Sequence, residues 1–130
     1  TFYNNCNNGI DQSFKPKGIY LLSDGSGITF HAIAYYFFII IDTNGPYKKP
    51  NRYGYDIFFF TLGNGKLSPV KATRFYTEEQ LEKQKYPSYA GYPCYKASNQ
   101  TGNGMGCAWY AINDQSPEDP SKLYWKNLDF

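Results

Sequence analysis

The chain carries one histidine, His31, and that already narrows the chemistry open to it. Nucleophilic or acid–base work by an imidazole needs a Ser or Cys nucleophile within hydrogen-bond reach and a carboxylate to orient the ring. No sequence signature for such a nucleophile occurs. His31 lies in an apolar, β-prone stretch and reads as a strand residue without a catalytic role. A lone histidine also argues against a transition-metal centre, because zinc takes about four Cys, His or carboxylate ligands. Glu78, Glu79 and Glu82 crowd one helix start, where negative charge is favourable to the macrodipole, and their spacing suits solvation rather than a buried acid and base pair. Phosphate-loop, dinucleotide and zinc-protease motifs are missing. The sequence therefore predicts no catalytic residues and no enzyme.

The stretch richest in potential ligands is DTNGPYKKPNRYGYDIFFF, Asp42 to Phe60. Asp42, Asn44, Asn51 and Asp56 place oxygen-bearing side chains in a loop between two apolar segments. Hard cations such as calcium gather about six to eight oxygens, backbone carbonyls included. One reading is thus a structural calcium loop built on these four residues, calcium being the one cofactor the sequence admits. An EF-hand it is not, since glycine is wanted at the sixth loop position and glutamate at the twelfth, whereas Gly45 is fourth and Tyr53 twelfth. The other reading is a turn held by Asx hydrogen bonds, Asp42 and Asn44 bonding nearby amides while Gly45 and Gly54 take backbone conformations other residues resist.

Three cysteines, Cys6, Cys94 and Cys107, lack the close spacing of a zinc knuckle or redox pair. Cys94 and Cys107 flank a segment rich in Asn, Gly and Ser. Linking them would restrict it, with about 3 kcal/mol of stabilisation in the chain-entropy model. A Cys94–Cys107 disulfide is the expectation, and with it an oxidising, extracellular setting. Cys6 is then unpaired or joined to a cysteine outside this sequence. The alternative is three buried thiols in a reducing compartment. Asn99, Gln100 and Thr101 form a glycosylation sequon, which matters only in a host able to use it.

The elements that must position these residues follow from composition and pattern. A chain of 130 residues is the size of one domain, and neither a repeat nor a linker divides residues 1–130. Charged residues make up 18%, against roughly 25% in ordinary soluble domains, while aromatic residues reach 20%, with 14 Tyr and 10 Phe. A surface wetted by hydroxyls more than by charge suits protein contact. The net charge of +2 is too small to attract phosphate backbones strongly, so no nucleic-acid partner is expected. The longest apolar run, Ala32 to Ile41, is about half the length of a membrane-spanning helix, and its β-branched and aromatic residues favour a strand. No signal peptide is visible at Thr1, and the chain reads as a mature or trimmed piece.

Along the chain, Thr1 to Lys17 is Asn-rich and reads as irregular. Ile19 to Leu22, the turn at Ser23, Asp24 and Gly25, and Ile28 to Phe30 predict a hairpin. Ile33 to Ile41 predicts one continuous core strand, covered on both faces or central in a sheet. A further strand is predicted over Asp56 to Leu62, closed by the turn residues Gly63, Asn64 and Gly65. Thr77 and Gln80 form a capping box for a short helix to about Lys85, stopped before Pro87. Ser88 to Gly106 reads as a disulfide-bounded loop and Ala108 to Ile112 as a brief apolar element. The end, with Leu123, Tyr124, Trp125, Leu128 and Phe130, is too apolar to be a free tail and should dock on the body. The fold class expected is α+β.

A strand ending in an aspartate, then Asn-Gly, Pro-Asn, a glycine and an Asp leading into an apolar strand (Asp42, Asn44, Gly45, Pro50, Asn51, Gly54, Asp56, Phe58) resembles the globular head of bacterial type IV pilins and of type II secretion pseudopilins. GKLSPV, Gly65 to Val70, matches what often follows that segment. GCAWYAI, Gly106 to Ile112, is similar to the Cys-Ala-aromatic element near such proteins' C-termini. The likeness spans roughly residues 28 to 112. It implies an antiparallel sheet head that packs on a long N-terminal helix, absent from this sequence, which is the only route to a membrane. It further implies self-assembly with other pilin subunits into an extracellular filament, with adhesion as an added role. Some members of the family bind calcium in a head loop, and Cys6 then has a partner in the missing part. A secreted binding module, with Trp109 and Trp125 stacking on sugar rings, is the alternative function.

Overall fold

The structure is a computed structural model that describes residues 18–33, 36–72, 94 and 103–128. The opening segment with Cys6, the capping-box helix with Glu78, Glu79 and Glu82, the Asn99 sequon and Phe130 lie outside the described residues. Five strands, β1 (Tyr20–Leu21), β2 (Gly27–Ile33), β3 (Tyr36–Asp42), β4 (Ile57–Gly63) and β5 (Lys66–Pro69), form one antiparallel sheet in sequence order. A single α-helix, α1 (Ala108–Ile112), and a 3₁₀ turn at Trp125–Asn127 complete the elements described. Among the described residues the fold is mostly β, so the expected α+β balance shifts towards sheet.

Local chemistry accounts for the turns. Leu22 and Ser26 close the first hairpin, with Asp24 accepting from the Ser26 amide at 2.9 Å and Gly25 at φ +89°. Asn64 and Gly65, both at positive φ, close β4 onto β5, as the two-residue hairpin turn requires. The Ile33 to Ile41 run is a correction. Ile33 pairs with Tyr36, so the chain reverses between them, and the run is divided between the end of β2 and most of β3. No Gly, Pro, Asn or Asp announces that reversal, which is why the pattern reads as one strand. β3 is nevertheless the central strand of the sheet.

Register and alternation assign the two faces. On one face Thr29, Phe38, Ile40, Asp42, Ile57 and Phe59 are all at most 2% exposed, and Phe59 meets Phe38 and Tyr53 edge to face at 6.3 and 4.9 Å. Among the described residues the opposite face is covered at its β4 end. There Phe58 packs with Ala72, Cys94, Cys107, Ala108, Tyr110, Ala111 and Tyr124, with Phe60, Trp109 and Leu128 at the margin. The Cys94–Cys107 disulfide lies inside that cluster, both residues fully buried and their Cα atoms 5.2 Å apart. Helix α1 is anchored to the sheet by Trp109 N–H donating to the Val70 carbonyl, and the Ala72 amide donates to Gly106. The C-terminal segment docks as its composition requires, through buried Tyr124 and the packed Leu128, while Leu123 and Trp125 stay partly exposed. Among the described residues no helix is long and apolar enough to cross a membrane.

The two faces differ in what they contribute to stability. Phe59→Ala should cost about 3–5 kcal/mol, whereas Tyr20→Ala, on the uncovered face, should cost less than about 1 kcal/mol. Urea unfolding of the two variants measures this, and equal losses would contradict the face assignment.

Candidate functional site

β3 delivers Asp42 to the closed end of the central strand pair, on the buried face, and β4 begins immediately after Asp56. The ladder runs one rung beyond the strands, as Thr43 donates through N–H and Oγ1 to the Asp56 carbonyl at 2.8 and 3.1 Å. Both carboxylates are therefore buried, Asp42 at 1% exposure and Asp56 at 3%. Burying a charged oxygen is costly unless hydrogen bonds replace water. Here they come from the loop itself. Asp42 Oδ1 accepts from the amides of Gly45 at 3.0 Å and Asn44 at 3.2 Å. Asp56 Oδ1 accepts from the Arg52 amide at 2.6 Å, and Oδ2 from the Asn51 amide at 2.8 Å and Asn44 Nδ2 at 3.0 Å. The two carboxamides cross-brace the loop, Asn44 Nδ2 donating to the Lys49 carbonyl and Asn51 Nδ2 to Pro46, both at 3.3 Å.

Two glycines are required for this geometry. Gly45 sits at φ +89°, with its bare Cα so near the Gly25 carbonyl that a Cβ would collide with it. Gly54, at φ +74°, has no room for a side chain either, because a Cβ would lie 2.8 Å from Cys107 Sγ and 3.2 Å from Tyr124 Oη. Tyr124 Oη donates to the Gly54 carbonyl, and burial pushes that phenol above its ordinary 10.0. The tip opposite carries Tyr47, 88% exposed, between Pro46 and the exposed Lys48 and Lys49.

The structure thus brings together all four residues singled out in the sequence, Asp42, Asn44, Asn51 and Asp56. It fills three of their four carboxylate oxygens with N–H donors. Burial raises the Asp42 carboxyl above its ordinary 3.8, the Gly45 and Asn44 amides oppose the rise, and the Asp56 charge adds to it. Among the described residues no group of three or more His, Cys, Asp and Glu side chains gathers. His31, partly buried in β2 in register with Phe38, has its imidazole held below 6.5 by burial. Both tryptophans have neighbours on their rings. Lys71 Nζ lies 3.6 Å from the Trp109 ring centroid, and Trp125, 46% exposed, is tied by Nε1–H to the Ala111 carbonyl and edge-on to Phe58. What sequence reasoning misses is the link from Tyr124 and Cys107 to Gly54, for which the apolar C-terminus is the only hint. Comparison with protein-family models, curated proteins and solved structures finds no match.

Two outcomes follow from the loop. Asp56→Ala removes the acceptor from two backbone amides and one carboxamide, and should cost at least about 3 kcal/mol by denaturant unfolding. For Asp42 the folded pKa lies above the unfolded one. Its contribution to stability is then fully present below the unfolded value and is lost as the pH rises through the folded one. Melting in metal-free buffer should show this fall, and Asp42→Asn, which keeps an oxygen for the Gly45 and Asn44 amides, should flatten it. An unchanged pH profile in that variant would refute the assignment.

Proposed function

We propose that the chain is the head domain of a subunit of an extracellular filament of the type IV pilin or pseudopilin kind. The observation that carries this reading is the uncovered apolar half of the sheet. Tyr20, Phe30, Phe37, Leu62 and Leu67 fall on one face by register and are 65, 43, 38, 41 and 46% exposed. Tyr20 meets Phe30 edge-on at 5.7 Å, and Phe30 stacks with Phe37 at 5.9 Å, so the aromatic rings form one continuous strip. Half-buried Ile28, Ile39 and Ile41 extend it inward. A contiguous apolar surface of this kind marks a place made to be covered. The pilin likeness implies an apolar helix of the subunit on that face and neighbouring subunits around it.

Two further features support the reading. The Asp42 to Asp56 brace and the Cys94–Cys107 bridge give the head a fixed shape, which repeated packing needs. The buried disulfide suits an oxidising compartment. No residue of the loop or of the open face has a catalytic assignment in this reading, and the work is done by surface complementarity.

Replacing Phe30 and Phe37 together by Lys should leave the melting temperature of the isolated head within about 2 °C of the parent, because both are surface positions. In cells producing the whole subunit the same change should abolish filaments seen by electron microscopy. Filaments of normal abundance in the variant, or no filaments in the parent, would count against the proposal.

A further inference from the structure

Four asparagines of this chain stand directly before a glycine, and three of these pairs, Asn44–Gly45, Asn64–Gly65 and Asn103–Gly104, lie among the described residues. An Asn-Gly pair carries its own reaction. The glycine backbone nitrogen attacks the Asn Cγ, and no Cβ on the glycine shields it. A C–N bond forms, the side-chain nitrogen leaves as ammonia, and a five-membered succinimide ring closes. Water then adds to one ring carbonyl and breaks its C–N bond, giving aspartate or isoaspartate. In isoaspartate the backbone runs through the side-chain carboxyl carbon and is one methylene longer. The reaction needs a carboxamide free to turn and a glycine nitrogen free to lose its proton and approach.

The fold withholds these conditions from two of the pairs. Asn44 Nδ2 is tied to Asp56 Oδ2 at 3.0 Å and to the Lys49 carbonyl at 3.3 Å, and Gly45 N–H donates to Asp42 Oδ1 at 3.0 Å. Asn103 is 2% exposed, and Gly104 sits so close to the Tyr53 backbone that a Cβ would collide with it. Asn64 meets the conditions. It is exposed at the tip of the β4–β5 hairpin and makes no side-chain hydrogen bond among the described residues. Gly65 has open space around its Cα, and the ladder ends at Gly63 and Lys66, so the Gly65 N–H belongs to no rung. The backbone starts away from an attacking posture, with Asn64 and Gly65 at φ 50° and 71°. Rotating this tip disturbs at most the terminal rung. The reaction there is therefore slower than in an unfolded chain and faster than at the two locked pairs.

We propose that Asn64 is a site of spontaneous modification, converting through a succinimide to aspartate and isoaspartate, and that isoaspartate there loosens the β4–β5 hairpin. The added methylene spoils a turn whose two positive-φ residues set the register. The next rung inward pairs Leu62 with Leu67, both members of the open apolar strip. A carboxylate also replaces a neutral amide at that end of the strip. The chemistry stands apart from the filament reading, which decides only whether the loosened strip matters to assembly.

The test is prolonged incubation of the folded chain in mildly alkaline buffer, followed by proteolysis and mass spectrometry, with isoaspartate counted by enzymatic methyl transfer. Asn64 should convert several-fold faster than Asn44 and Asn103, and in urea the three should converge on one rate. The Asn64 rate should rise with pH, since the attacking nitrogen must first lose its proton. In the chromatographically resolved isoaspartate form, hydrogen exchange at the amides of Gly63, Lys66 and Ser68 should be faster than in the parent. Asn64→Asp, which adds the charge without the methylene, should exchange like the parent. Conversion at Asn44 or Asn103 as fast as at Asn64 in the folded chain, or none at Asn64 while the unfolded chain reacts, overturns the site. Parent-like exchange in the isoaspartate form overturns the loosening.

Discussion

Charged oxygens buried at the closed end of the β3–β4 pair must be met by N–H donors, and the rest of the structure is arranged around that need. Asp42 accepts from the amides of Asn44 and Gly45, and at Gly45 the chain turns left-handed with its Cα close against the Gly25 carbonyl of the first hairpin. Asp56 does the same for Asn51 and Arg52. The Arg52 carbonyl then accepts from the amides of Tyr55, Asp56 and Ile57, and Gly54 N–H donates back to Ile57. This tight return presents the Gly54 carbonyl to Tyr124 and its bare Cα to Cys107. The disulfide, helix α1 and the C-terminal segment are therefore seated on a surface whose shape two carboxylates determine.

Different parts of the chain serve the two sides of the sheet. The buried side is held by Phe38, Ile40, Ile57 and Phe59, with Tyr53 from the loop closing over Phe59. The other side is held at one end by residues distant in sequence, Cys94, Cys107 to Ala111 and Tyr124, gathered on Phe58. The loop belongs to both, since Tyr53 faces one side and Gly54 the other. A change in the loop backbone is thus felt by both packing clusters, and its glycines tolerate less than their exposed neighbours Tyr47 and Lys48.

Much of this was legible in the sequence, and where it was not the reasons are physical. The first hairpin, the Asp56 strand, the Asn64–Gly65 turn and the Cys94–Cys107 bridge all carry strong local signals: Asp-Gly, Asn-Gly, and cysteines flanking a loop of small polar residues. The reversal after Ile33 carries none, because tertiary pairing of two apolar strands imposes it without a turn residue. Which amide meets which carboxylate oxygen was equally hidden. Residue types reveal that Asp42, Asn44, Asn51 and Asp56 can bond, but only the folded backbone distinguishes the fully satisfied Asp56 from the half-satisfied Asp42. The contact of Tyr124 with Gly54 joins residues 70 positions apart, beyond any local pattern.

The open face also sets limits on what can cover it. Tyr20, Phe30, Phe37, Leu62 and Leu67 each retain about 40% or more of their surface, and covering the remainder is worth roughly 1 kcal/mol apiece. Counted for this chain's side alone, a gross gain on the order of 5 kcal/mol sits at the low end of the translational and rotational cost of bringing a free partner to the face, about 4–15 kcal/mol. A separate molecule in dilute solution would therefore need to bury a comparable apolar surface of its own to hold on. A segment of the same chain, or a neighbour already fixed in an array, faces the strip at a high effective concentration and escapes most of that cost. By this reasoning the strip favours an occupant that arrives attached, which is the arrangement a filament subunit provides and a freely diffusing module lacks.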